Sequence, residues 1–190
     1  TNTTNSTRHA TRPDVFTELT RSNLPDGYIN NIAVDPKDGN HVFLTYSNYN
    51  VLSVFETTDG GQRWTAVSGN LEENADGSGN GPSTRWLEVL PNGDGNIYLL
   101  GTSVGLYATE DLNGMNTVWE QIGGNTLGNV VVDMIEVRPV DGTITVGTHG
   151  NGVFQANVET PLYANIFMTS LPCGGNEIQL LGNQADDNAN

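Results

Sequence analysis

The chain has 190 residues, 36% of them hydrophobic, which suits one good-sized globular domain with a tail rather than a disordered chain. Seven Lys and Arg against 22 Asp and Glu give a formal charge of -15, so the surface repels phosphate backbones and anionic headgroups and disfavours nucleic acid and membrane surfaces as partners. No apolar run nears the roughly 20 residues of a membrane-spanning helix, and a lone cysteine, Cys173, without the Cys/His spacing of a zinc site, leaves little for thiol or metal chemistry.

The start, TNTTNSTRHATRP, has neither a first Met nor the apolar segment of a secretory signal, and is expected to be a cut from a longer precursor. Val15–Thr20, VFTELT, reads as an isolated strand. Three longer stretches then align: Tyr28–Tyr46, Thr84–Ser103 and Val132–His149. Each is an alternating apolar strand, a proline (Pro36, Pro91, Pro139), a glycine-bearing turn and a second alternating strand. A third strand follows each pair, VLSVFETT, GLYATE or GVFQANV, and twice a fourth, RWTAVSG and TVWEQIG. Phe16 stands in VFTELT where Trp64 and Trp119 stand in the fourth strands.

A four-stranded antiparallel unit repeating at about fifty residues is the period of a β-propeller blade. The expected class is therefore all-β, with two full blades and parts of two others. Residues 1–14 would be a loop from a preceding blade and residues 15–160 partial propeller blades. So few blades leave open sheet edges, and the remaining blades would come from the same polypeptide or from further copies of the chain.

Between the third and fourth strands of the first unit lies Thr57-Thr58-Asp59-Gly60-Gly61-Gln62-Arg63-Trp64. An Asp carboxylate accepting backbone N–H groups, glycine at positive φ and a large aromatic anchor make a self-contained turn. This stretch resembles the Asp-box, or BNR repeat, at every fixed position of Ser/Thr-x-Asp-x-Gly-x-x-Trp. A looser copy runs from Thr109 and Asp111 to Trp119, with three extra residues. The stretch Val146–Phe154 resembles the closing THGRG segment of secreted Asp-box propellers, with Asn151 in place of arginine.

The resemblance implies a structural role for Thr57, Asp59, Gly60, Gly61, Trp64, Thr109, Asp111 and Trp119, on the side away from any ligand. Relatives of this kind include sialidases, xyloglucan-cleaving hydrolases and sortilin-type receptors, so the fold does not select a function. Residues 161–190 resemble a linker and the first strand of an immunoglobulin-like or PKD-like module, in which Cys173 would pair beyond Asn190. A propeller followed by such a module is similar to large extracellular or cell-surface proteins exported by type IX secretion.

On the ligand side the repeat places Asn30, Arg85 and Asp133 at equivalent starts of their strands, with Trp86, Tyr46, Tyr49 and His149 close by in sequence register. Rings that stack and polar groups that orient would suit a glycan or a protein ligand. The competing reading pairs Arg85 with Asp133 or Glu88 and makes Trp86 core filler. Glu72, Glu73, Asp76 and Asp133 could supply two carboxylates for glycoside hydrolysis, but they match no catalytic pattern, so no catalytic residue is assigned.

Asp76, Ser78 and Asn80 have the oxygen spacing of half a calcium loop, with Leu87 where the bidentate glutamate belongs. A plain surface loop is preferred there, with calcium as the alternative and no other cofactor. The expectation is a binding module that is not itself catalytic. Part of a glycoside hydrolase is the first alternative, and an architectural spacer of an adhesin is the second.

Overall fold

The computed structural model describes residues 18–19 and 23–158. The expected loop 1–14, most of the strand Val15–Thr20, the module 161–190 and Cys173 lie outside the described residues. Within them the chain is all-β, an incomplete propeller of three successive antiparallel blades.

The first blade is β1 (Ile29–Asp35), β2 (Asp38–Tyr46), β3 (Val54–Thr57) and β4 (Thr65–Ala66). The second is β5 (Thr84–Asn92), β6 (Gly95–Thr102), β7 (Gly105–Thr109) and β8 (Glu120–Ile122). The third has β9 (Val132–Arg138), β10 (Thr143–Thr148) and β11 (Val153–Asn157). Strands follow one another in space as in sequence within every sheet, as a meander of short connections requires. Pro36 and Pro139 fall in turns, but Pro91 lies inside β5 opposite Asn96. Its missing donor is tolerated because β5 is the first strand of its sheet and Pro91 sits next to its end.

The first strands are the contact line between blades: β1 packs on β5 and β5 on β9. Strand alternation sends every second residue to each neighbour. Ala33, Phe43, Val54 and Val67 of the first blade share a core cluster with Leu87, Val89, Leu100 and Trp119 of the second. Leu90, Leu99 and Leu106 face the other way and share a cluster with Ile135, Ile144 and Val146 of the third. On the opposite side of the first blade, Leu44, Tyr46, Phe55 and Trp64 form a third cluster with Leu24. Ile32 and Val34 lie on that same side, paired with Leu44 and Val42, and are exposed.

One polar cluster is enclosed between the first two blades. His41 Nδ1 lies 3.0 Å from Asp35 Oδ2 and its Nε2 3.1 Å from Glu56 Oε2. Its ring packs against Phe43 at 4.5 Å and Tyr98 at 6.1 Å. Across the interface Asn96 Nδ2 donates to Asp35 Oδ2 (2.6 Å), while the Lys37 ammonium reaches the carbonyls of Gly93, at 2.9 Å, and Gly95. The hydrogen bond to Glu56, opposed by burial and aided by that to Asp35, holds the His41 pKa above its ordinary 6.5.

A folded-state pKa raised in this way stabilises the fold fully below the unfolded value and loses that contribution as pH climbs through the folded value. The melting temperature of the wild type relative to His41→Gln is therefore expected to be highest near about pH 6 and to shrink toward about pH 9. A difference that grows with pH would contradict this placement of the proton.

Candidate functional site

The three first strands share an irregularity at the same end. In the β1–β2 ladder Ile29 opposes Tyr46 and Asn31 opposes Thr45, which leaves Asn30 as the extra residue. In β5–β6 Thr84 opposes Thr102 and Trp86 opposes Gly101, leaving Arg85. In β9–β10 Val132 opposes Thr148 and Met134 opposes Gly147, leaving Asp133. A β-bulge breaks the alternation and re-aims the extra side chain. Asn30, Arg85 and Asp133 are thus a repeated set of bulged residues on the strands along which the blades meet.

Their partners connect neighbouring blades. Asn30 Nδ2 donates to the Arg85 carbonyl, and Asn31 Oδ1 accepts from the Leu87 N–H at 3.0 Å. Asp133 and His149 face each other at 3.4 Å, both well exposed. Arg85 is half-buried, and its Nε is enclosed with no hydrogen-bond partner among the described residues. It pairs with neither Asp133 nor Glu88. Trp86 Nε1 donates to Glu88 Oε2 at 3.3 Å instead, and burial, with the charge of Glu136 adding, pushes the Glu88 carboxyl up. Tyr49 is exposed at 60%.

Tyr46 departs from the expected set. It is 1% exposed and packs edge-on to Phe55, with ring centroids 5.6 Å apart. It continues the Val42, Leu44 face of β2 into the third core cluster, so alternation directs the ring inward rather than toward a ligand.

The Thr57–Trp64 turn is closed by its own side chains. Asp59 Oδ1 accepts the Gln62 and Arg63 N–H groups, both at 2.9 Å, and the Thr57 hydroxyl at 2.8 Å. The Gly61 N–H donates to Thr57 Oγ1 at 3.0 Å, and Gly60 and Gly61 hold φ of 69° and 90°. The Arg63 N–H, followed by the Thr57 hydroxyl, keeps the Asp59 carboxyl below the usual range. Trp64 is buried beneath this turn.

The second copy is built differently. Thr117 Oγ1 accepts from Asn113 N and donates to the Gly114 carbonyl, while Asp111 joins Thr109 only through its backbone. The three added residues bring a hydroxyl to the place of the carboxylate, so the turn-holding role expected of the Asp111 side chain falls to Thr117. Trp119 keeps its place in the core, and its Nε1 donates to the Val67 carbonyl at 2.9 Å.

In the 76–80 loop the oxygens are engaged within the protein. Asp76 Oδ1 accepts from Ser78 N and Oγ, and Glu73 Oε2 accepts from both nitrogens of Asn80. Glu72 Oε1 likewise takes the Ser53 N–H and hydroxyl. Among the described residues no group of three or more His, Cys, Asp or Glu is placed to hold a metal ion.

One asparagine recurs at blade spacing outside the expected site. The Asn70 side chain grips the Trp119 backbone from the preceding blade, accepting its N–H at 2.7 Å and donating to its carbonyl at 3.0 Å. Asn23 Nδ2 makes the second of these bonds to the Trp64 carbonyl, at 3.3 Å. Asn23-Leu24, Asn70-Leu71 and Asn125-Thr126-Leu127 recur in the sequence at blade spacing, and that recurrence was the available signal.

No family model and no curated protein matches the chain. Fifteen solved chains match. One is the crystal structure of a GH74 enzyme from Niastella koreensis, similar at 20% identity and a TM-score of 0.48 over 70% of this chain. The match spans 21% of the length of that enzyme. No helix among the described residues is long and apolar enough to cross a membrane.

Proposed function

We propose that this chain is part of a secreted or cell-surface Asp-box propeller that binds a glycan or protein ligand at the bulged residues and does not turn it over. The observation that supports this reading is Arg85: a guanidinium nitrogen enclosed without an acceptor among the described residues, at the middle of three equivalent bulges. The Nε itself is closed off, and a ligand carboxylate or carbonyl oxygen would meet the outer guanidinium nitrogens of this half-buried side chain. Asn30 and Asp133 occupy the equivalent bulges of the neighbouring blades, while Trp86 packs against the core cluster between the second and third blades.

Arg85→Ala in the intact protein is expected to weaken ligand binding by roughly ten- to a hundredfold, the worth of a hydrogen bond to a charged group, with the melting temperature unchanged. A glycan array followed by titration of the best hit measures this. Cleavage of a bound glycan would contradict the non-catalytic reading, and silence toward glycans and protein ligands alike would leave an architectural spacer in its place.

A further inference from the structure

The second and third blades leave open a seat that is filled between the first and second. Trp119 occupies the filled seat, in the cluster that contains Val54 and Val67, with its backbone gripped by Asn70. Gly69 lies so close to that incoming strand that a Cβ on it would stand 1.8 Å from the Thr117 carbonyl oxygen. One blade on, Asn125 aligns with Asn70 and Gly124 with Gly69. Asn125 makes no side-chain hydrogen bond among the described residues, and a Cβ on Gly124 would meet nothing within 4 Å. His41, Glu56, Thr65 and Val67, on the side of the first blade that faces Trp119, align with Ile97, Ala108, Glu120 and Ile122. Those four line an open cleft of about 500 Å³. The outer edge of β11 beside it pairs with no strand among the described residues.

The other end of the chain shows the matching half. Asn23 meets the Trp64 backbone as Asn70 meets that of Trp119, and Leu24 packs with Trp64. Leu19 lies against the Thr57–Trp64 turn, 2.8 Å from where a Gly61 Cβ would be. Leu19, Asn23 and Leu24 therefore stand where the end of a fourth strand from a blade before the first would stand. The Trp64 Nε1 donor is buried without a partner among the described residues, and the counterpart of its acceptor, Val67, falls at Thr20 by the 47-residue spacing of Asn23 and Asn70.

We propose that the cleft and the β11 edge accept Val15–Thr20 of a second copy of the chain, joining copies head to tail, with Phe16 in the aromatic seat and Asn125 on its backbone. Glu110, Asp111 and Glu120 rim the cleft, and the flanking Arg8, Arg12 and Arg21 offset Glu18 of the segment and the adjacent Asp14. Apolar side chains also stand exposed at both ends, Ile32 and Val34 on the first blade and Met134 and Val153 on the third. Two copies joined in this way bring six blades together, within the roughly four to eight of closed propellers.

Sedimentation velocity on the full 190-residue chain tests the proposal, with hydrogen exchange of the β11 amides. A concentration-dependent dimer with protected β11 amides is expected. Phe16→Asp and Gly124→Ala should each give a monomer that loses only the concentration-dependent part of the melting temperature, and Asn125→Ala should weaken association about tenfold. A peptide copying Asp14–Asn23 should compete for the cleft. A monomer at every concentration, or a dimer indifferent to Phe16→Asp and Gly124→Ala, would overturn the proposal. So would a dimer abolished by truncation after Val158, which would assign the seat to the C-terminal segment.

Discussion

Trp119→Ala is expected to lower the unfolding free energy by about 3–5 kcal/mol, the usual cost of removing a large buried aromatic. The indole is 2% exposed and sits in the cluster that unites the first two blades. Its loss leaves a cavity at that interface and frees the Val67 carbonyl from the Nε1 hydrogen bond of 2.9 Å. Trp119→Phe keeps most of the ring volume and loses the hydrogen bond, so it should cost about 1 kcal/mol beyond the change in packing. Urea unfolding of both variants checks this order. A Trp119→Ala protein within about 1 kcal/mol of wild type would show that the blades do not depend on this ring for their union.

Gly69→Ala should destabilise by about 4 kcal/mol or more, a size reserved for steric conflict with backbone or loss of a buried network. The new Cβ would lie 1.8 Å from the carbonyl oxygen and 2.7 Å from the carbonyl carbon of Thr117, neither of which can rotate away. Gly69 also holds φ of 51°, where a side chain is strained. The chain would have to open the turn Gly69–Leu71, and with it the Asn70 grip on Trp119. At about 2–4 °C for each kcal/mol in a chain of this size, the melting temperature should fall by roughly 8–16 °C. Gly124→Ala is the control at concentrations where the chain is monomeric, since open space surrounds that position in the single chain and its melting should not move there.

The blades were legible in the sequence because they rest on local signals. Alternation over seven to nine residues set the strand pairs, and glycine with Pro36 and Pro139 marked turns between them, while Pro91 stands inside its strand. The equivalence of Asn30, Arg85 and Asp133 was legible for the same reason. That all three are bulges was not, because a bulge is an offset between two strands and leaves no mark on one of them. Tyr46 was misplaced because the end of a strand reads as a loop, while its ring follows the face begun by Val42 and Leu44. The Asp111 turn was misjudged because three inserted residues keep the motif's letters and change which side chain reaches the backbone.

The pair Arg85→Ala and Asp59→Ala tests the division of the molecule into a ligand face and a structural turn most directly. Each variant of the intact protein would be compared with wild type for ligand affinity and for melting temperature. Arg85→Ala should lose affinity at unchanged melting, and Asp59→Ala should melt earlier and bind the same ligand with the same selectivity. A stable Asp59→Ala protein that loses binding, beside an Arg85→Ala protein that keeps it, would place the site at the turn and contradict that division.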